Sequence, residues 1–249
     1  MSQRKEKFET KLRLHLGKKC LKRHFDYIRK EMMKEMKKQQ IARAQHGDVF
    51  RDAETIRIRE TMWPEKWGSH LTQAECDEIA SKIDAEAKIA YDEEALYVEL
   101  SANELKLRKE QTGPLGAPCC DSCLEFFFCP EESENRYFNI EVNPAGCCYL
   151  GIGTSIDTLV RLHPELHPDL LSIRTEEDGD SWRVSYRVPF SFIRLFFPDF
   201  APAPGKKLRC NFYHCGDDTI LPHFLAWNRV ETGKFSFHQP DAFGELVFA

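Results

Sequence analysis

Apolar and polar positions follow two rhythms along this chain. From Cys20 to Ala44, the residues Leu21, Phe25, Ile28, Met32 and Met36 recur at steps of three and four, with Lys, Arg and Glu between them. That spacing predicts a helix with one narrow apolar stripe. Beyond His46-Gly47-Asp48 the rhythm shortens to two. Ile56 and Ile58 alternate with polar residues, and "AKIAYDEEALYVEL" reads as a hairpin with Ala87, Ile89 and Tyr91 before its turn and Leu96, Val98 and Leu100 after it. Further alternating runs include "CCDSCLEFFFCP", Tyr137 to Asn143 with Phe138, Ile140 and Val142 on one face, "SWRVSYRVP", "LRCNFYHC", "HFLAW" and "GELVF". "FSFIRLFF" is the one short helix expected among them. Strands at such short intervals, without helical repeats between them, predict an all-β fold: an antiparallel two-sheet β-sandwich over residues 50–249. A basic α-helical extension over residues 1–49 is expected to precede it.

Charge sharpens that division. Residues 1–50 hold 15 Lys/Arg against 6 Asp/Glu, whereas the rest of the chain carries a balance of −14. A basic helix beside an acidic body reads as a docking element, seated on the body or on a second copy as a homo-oligomer contact. Nucleic acid is not expected as a partner, because the acidic body repels phosphate and no reader motif is present. Neither a signal peptide nor an apolar run of about 18 residues is seen, so no membrane contact and a cytoplasmic location are expected.

Ten cysteines raise the question of metal or redox chemistry. Cys120 and Cys123 have the C-x-x-C spacing, but in a strand an odd separation sends them to opposite faces, and no second such pair or His pair lies nearby. The cysteines therefore read as apolar filling. No cofactor is expected, and calcium, although allowed, is not indicated by any motif.

The polar side of the strands is more informative. It collects Glu125, then Tyr137, Asn139, Glu141 and Asn143, then Arg183 and Arg187, then Asn211 and Tyr213. Such a face is ordinarily wet in an antiparallel sheet. Gathered in a concavity, the same groups would suit a hydroxyl-rich ligand. Glu125 and Glu141 also raise a glycosidase reading, for which spacing in sequence supplies neither the separation nor the raised pKa that hydrolysis needs.

The segments "AKIAYDEEALYVEL", "DSCLEFFF", "YFNIEVNPAG", "WRVSYRVPFSFI", "NFYHCGD" and "FHQPDAFGELVF", in this order, resemble family 9 carbohydrate-binding modules over about residues 85–249. The resemblance implies a β-sandwich that binds a saccharide without cleaving it, and so a protein that is not an enzyme. In that family a sugar ring is held between two tryptophans while polar groups hold its hydroxyls. By position, the acidic contact falls on Glu125, an arginine contact on Asn139, and one clamp aromatic on Phe237 beside His238. A further polar contact falls near Lys234. The second clamp position falls near Ala117-Pro118, where no tryptophan stands. Trp227 and Cys123 read as core, and Trp63 or Trp67 could substitute only if the N-terminal part folds over the site. A related sandwich superfamily binds haem through Met and His; here all five Met lie at or before Met62, which disfavours haem. The alternative reading is an interaction or scaffold module of the same fold that has lost its sugar site.

Overall fold

The turn pair Glu93-Glu94 brings Tyr91 opposite Leu96 and folds the predicted hairpin back on itself in register. The computed structural model in which this is seen describes residues 36–63, 71–163, 169–231, 233 and 235–249. The chain divides into two compact units at Met36/Lys37. The first falls almost wholly outside the described residues, as do the stripe positions Leu21, Phe25, Ile28 and Met32.

The second unit contains, in chain order, β1 (Lys38–Arg43), β2 (Ile56–Ile58), β3 (Glu60–Thr61), α1 (Gln73–Ala80), β4 (Asp84–Tyr91), β5 (Ala95–Asn103) and β6 (Cys123–Cys129). There follow β7 (Tyr137–Val142), β8 (Cys148–Gly153), β9 (Val160–Leu162), β10 (Arg174–Asp178), β11 (Ser181–Pro189) and α2 (Phe190–Phe196). The last three strands are β12 (Lys207–Gly216), β13 (His223–Ala226) and β14 (Gly244–Phe248). The strands form one curled sheet in the order β10-β11-β5-β4-β1-β14-β12-β6-β7-β8-β9, with β13 on β12, β3 on β13 and β2 on β4. The curl brings two halves face to face: one runs from β10 to β4, the other from β14 to β9.

Two expectations are corrected here. Residues 38–43, read as the end of a helix, form β1. Lys38 to Ile41 run parallel to β14, and Ala42 and Arg43 run parallel to β4. The open edges of two strands each pair with part of this segment, and Ile41 becomes fully buried. Tertiary pairing outweighs the helical preference of "KQQIAR". The sheet is consequently mixed rather than antiparallel, although all other pairings are antiparallel. The helix at "FSFIRLFF" is present as α2. By contrast α1 was not expected, although Thr72 and Glu75 form a reciprocal capping box in the Thr-x-x-Glu pattern.

Between the halves lies the main core. Leu124, Phe126, Phe128, Phe138, Ile140 and Phe212 meet Ile89, Val98, Leu100, Trp182, Val184 and Tyr186 there. Phe126 is stacked against both Phe128 and Phe212, with ring centroids 4.8 Å away in each case. Each such side chain contributes roughly 1.5–3 kcal/mol on burial. Trp227 belongs to this core, and Gly244 leaves it room: a Cβ there would lie 2.5 Å from Trp227 Cζ3. Among the described residues, no helix is long and apolar enough to cross a membrane.

Candidate functional site

Alternation along β6 turns Leu124, Phe126 and Phe128 into the main core and leaves Cys123, Glu125 and Phe127 on the other side of the sheet. The neighbouring strands do likewise with Tyr137, Asn139 and Glu141 of β7 and with Asn211, Tyr213 and Cys215 of β12. This face is not wet, as an ordinary antiparallel sheet would have it. Met62, Trp63, Phe224, Val230, Phe237 and Phe243 close over it and build a second core with Phe127, Tyr137 and Tyr213. Arg183 and Arg187 are not part of it. They stand on β11, in the opposite half of the sheet.

Glu125 is 3% exposed, directly opposite Glu141 on one side and Tyr213 on the other. The Cys215 thiol donates to its Oε1 at 2.9 Å. Glu141 accepts from Asn139 Nδ2 at 2.9 Å, while Asn139 Oδ1 is buried without a hydrogen-bond partner. Burial, and then the charge of Glu141, push Glu125 well above the usual carboxylate range. Burial raises Glu141 itself to about 7. At the rim, desolvation followed by the charge of Asp218 raises Asp217 to about 6. Both shifts favour a protonated carboxyl within the pair, a group that can donate as well as accept.

The aromatic wall stands beside it. Phe237 lies on Tyr213, and Tyr213 Oη donates to the Phe237 carbonyl at 3.1 Å. Trp63 packs on Phe237 with ring centroids 5.3 Å apart, and Phe235, 53% exposed, packs on Trp63 at 5.0 Å. His238 is half-buried, hydrogen-bonded through Nδ1 to Tyr137 Oη at 2.8 Å, and held neutral by burial, which lowers it to about 4. Lys234 lies outside the described residues.

The expected residues Glu125, Asn139, Phe237 and His238 thus stand on one face of β6, β7 and β12. Sequence reasoning missed the groups that border Glu141. Tyr149 faces Glu141 in register, and Arg161 sits 4.7 Å over the Tyr149 ring while donating to the Gly116 carbonyl at 2.8 Å. The alternation of "CYLGIG" carried that signal, since Gly151 is bare where a Cβ would meet Tyr149 Cε1 at 2.7 Å. No aromatic takes the second clamp position, where Pro118 is buried. Trp63 occupies the neighbourhood of Phe237 instead. A groove of about 490 Å³ lies elsewhere, lined by Glu86, Glu176, Asp178 and Arg183 among others, and includes none of the expected site residues.

The cysteines are largely interior: Cys123, Cys129, Cys147, Cys148, Cys210 and Cys215 are buried. Burial pushes the Cys123 thiol up, and Cys129 up to about 12. Among the described residues two groups of potential metal ligands converge within 4.8 Å, one of Cys123, Glu125 and Cys215 and one of Glu104, His214 and His223.

Comparison with known proteins places these features in a family. The profile described as carbohydrate-binding family 9 matches residues 69–248. No curated protein matches. Solved structures that share the fold include the following three. A candidate carbohydrate-binding protein from Bacteroides uniformis is 22% identical, with a TM-score of 0.69 over 86% of this chain and 100% of its own. A family 9 module from Caldicellulosiruptor kristjanssonii in complex with glucose is 15% identical, with a TM-score of 0.56 over 86% of this chain and 96% of its own. The same organism's module in complex with cellotriose, also 15% identical, has a TM-score of 0.55 over 85% of this chain and 93% of its own.

Proposed function

The chain belongs to carbohydrate-binding family 9, and from that premise we propose that it binds a saccharide without cleaving it, on the face of β6, β7 and β12. The observation that carries this reading is the pairing of Glu125 with Glu141 beneath Tyr149 and beside the Phe237 wall. Carboxyls and an amide accept and donate to sugar hydroxyls, and the aromatic edges meet the C–H faces of the ring. Glu125, Asn139, His238 and Lys234 are the proposed polar contacts, with Phe237 as the aromatic one. Glucose-type pyranoses are the first ligands to test, since the two Caldicellulosiruptor modules hold glucose and cellotriose.

Hydrolysis fits the arrangement poorly. Directly opposed strand residues have Cβ atoms about 4.5–5.5 Å apart and point the same way. A glycosidase instead needs two carboxyls flanking the scissile bond from different sides.

One observation favours the second reading, a scaffold module without a sugar site. A ring held between two aromatic planes needs them about 7–8 Å apart, twice a carbon–carbon contact. Trp63 and Phe237 are only 5.3 Å apart, so the clamp is filled by its own side chains. Isothermal titration and thermal shift against glucose, cellotriose and a panel of other saccharides separate the two. Binding in the millimolar to high micromolar range, about 4–6 kcal/mol, that is lost in Glu125→Gln supports the sugar reading. A melting curve that no saccharide moves establishes the scaffold reading.

A further inference from the structure

His214 and Cys215 are neighbours on β12 and so point to opposite sides of the strand. Cys215 bonds to Glu125. His214 meets two residues from other elements: His223, the first residue of β13, and Glu104, which follows β5 in the other half of the sheet. All three are buried, at 0%, 1% and 3% exposure. Gly216 is the register partner of His223, and its missing side chain makes the approach possible, because a Cβ there would lie 2.8 Å from His223 Cε1.

The hydrogen bonds fix which atoms face inward. His214 Nδ1 lies 2.9 Å from the Cys123 carbonyl, and His223 Nδ1 lies 2.9 Å from the Leu221 carbonyl. A carbonyl oxygen only accepts, so each Nδ1 carries the ring proton and each neutral Nε2 presents a bare lone pair. Those two Nε2 atoms are 3.1 Å apart. Glu104 Oε2 accepts from Ser122 Oγ at 2.8 Å, but Oε1 accepts no hydrogen bond of good geometry and points at His214 Nε2 from 3.5 Å. Three acceptors thus converge, and the indole N–H of Trp182 also interacts with the Glu104 carboxylate.

We propose that Glu104, His214 and His223 bind a divalent zinc-type ion that ties β12 and β13 to the end of β5. Two donors 2.0–2.1 Å from a tetrahedral zinc are about 3.3 Å apart, and the spacings of 3.1 and 3.5 Å bracket that value. Two imidazoles and one carboxylate are a recurrent zinc ligand set, and each histidine has its other nitrogen anchored on a backbone carbonyl, the arrangement that orients metal-bound imidazole. A fourth position remains for water. Because no ligand is exposed beyond 3%, the ion's role is structural. The Cys123, Glu125 and Cys215 group differs, since there the thiol proton of Cys215 already accounts for the close approach to Glu125.

The test uses the full chain, purified without a polyhistidine tag, stripped by chelator and titrated with Zn²⁺ or Co²⁺. One equivalent should bind and raise the melting temperature. The Co²⁺ form should show visible d–d bands without the near-ultraviolet charge transfer that thiolate ligands give. Glu104→Gln should weaken Co²⁺ binding by more than the roughly 10–100-fold that loss of an outer-shell partner costs. Cys215→Ser should leave it unchanged. Should Glu104→Gln fail to fold, the Co²⁺ spectrum of the wild-type chain still decides. Absence of binding, with no melting shift, would mean a proton bridges the histidines and overturns the proposal. Thiolate charge transfer, or loss of metal in Cys215→Ser, would move the ion to the cysteine group and overturn it equally.

Discussion

Phe237 lies almost flat on Tyr213, with ring centroids 4.1 Å apart and planes inclined by 16°. Since Tyr213 faces Glu125 in register, this stack ties the C-terminal loop to the acidic strand. Phe237 is also only 8% exposed, being covered by Trp63.

Phe237→Ala should therefore cost stability as well as any ligand affinity. Truncating a buried Phe removes about 3–5 kcal/mol, and the Phe237 site lies towards the lower end because it borders solvent. Chemical denaturation should show a fall in midpoint of that order. A variant as stable as wild type would mean that the aromatic wall rearranges freely around position 237, as a sugar-accepting wall must.

The Glu125–Glu141 pair predicts a stability that depends on pH. Glu141 titrates at about 7 when folded, above the usual carboxylate value of 4.5. Between those values the unfolded chain releases a proton that the folded chain keeps, so stability is full below about 4.5 and falls as pH rises towards 7. His223 and His238, both lowered to about 4, act in the opposite sense between pH 6.5 and 4. Comparing wild type with Glu141→Gln cancels their contribution. The variant should gain on wild type as pH rises from 5 to 8, by up to about 3 kcal/mol. A pH-independent difference would show that Glu141 is ionised throughout.

Truncation of residues 1–45 should abolish cooperative unfolding. The deletion removes β1, opens the edges of both β14 and β4, and takes Ile41 out of the core. Circular dichroism and size exclusion should report an unfolded or aggregated chain. A folded, monomeric product would show that β14 and β4 can close on one another without β1.

Asp121 holds the loop that leads into β6. Its Oδ2 accepts from Gln111 N at 2.7 Å and from Asn143 Nδ2 at 2.8 Å, and Oδ1 pairs with Arg108 Nε at 3.2 Å. Asp121→Ala leaves those donors unanswered in a buried setting and should cost about 3 kcal/mol. Equilibrium denaturation measures this directly, and a loss below 1 kcal/mol would mean that water replaces the carboxylate.

The alternation of "CLEFFFC" and "YFNIEV" was enough to place Glu125, Asn139 and Glu141 on a common face, because a period of two is a property of the strand alone. Nothing in that period says what covers the face. The cover comes from Trp63 and Phe237, which lie far apart in sequence and become neighbours only through the fold. β1 was misread for a related reason: "KQQIAR" has one large apolar residue, so its conformation is decided by the edges it meets. Glu104, His214 and His223 were equally illegible. The two histidines are brought opposite by the β12–β13 hairpin, and the glutamate by the approach of the other half of the sheet.

The position of β1 bears on how the chain is made. Its partner on one side, β14, leaves the ribosome roughly two hundred residues later, which at typical synthesis rates of 5–20 residues per second is about 10–40 s. Throughout that interval Lys38 to Ile41 lack the strand with which they pair. The sandwich is closed by β1 and β14 together, so this seam cannot form before β14 has been made.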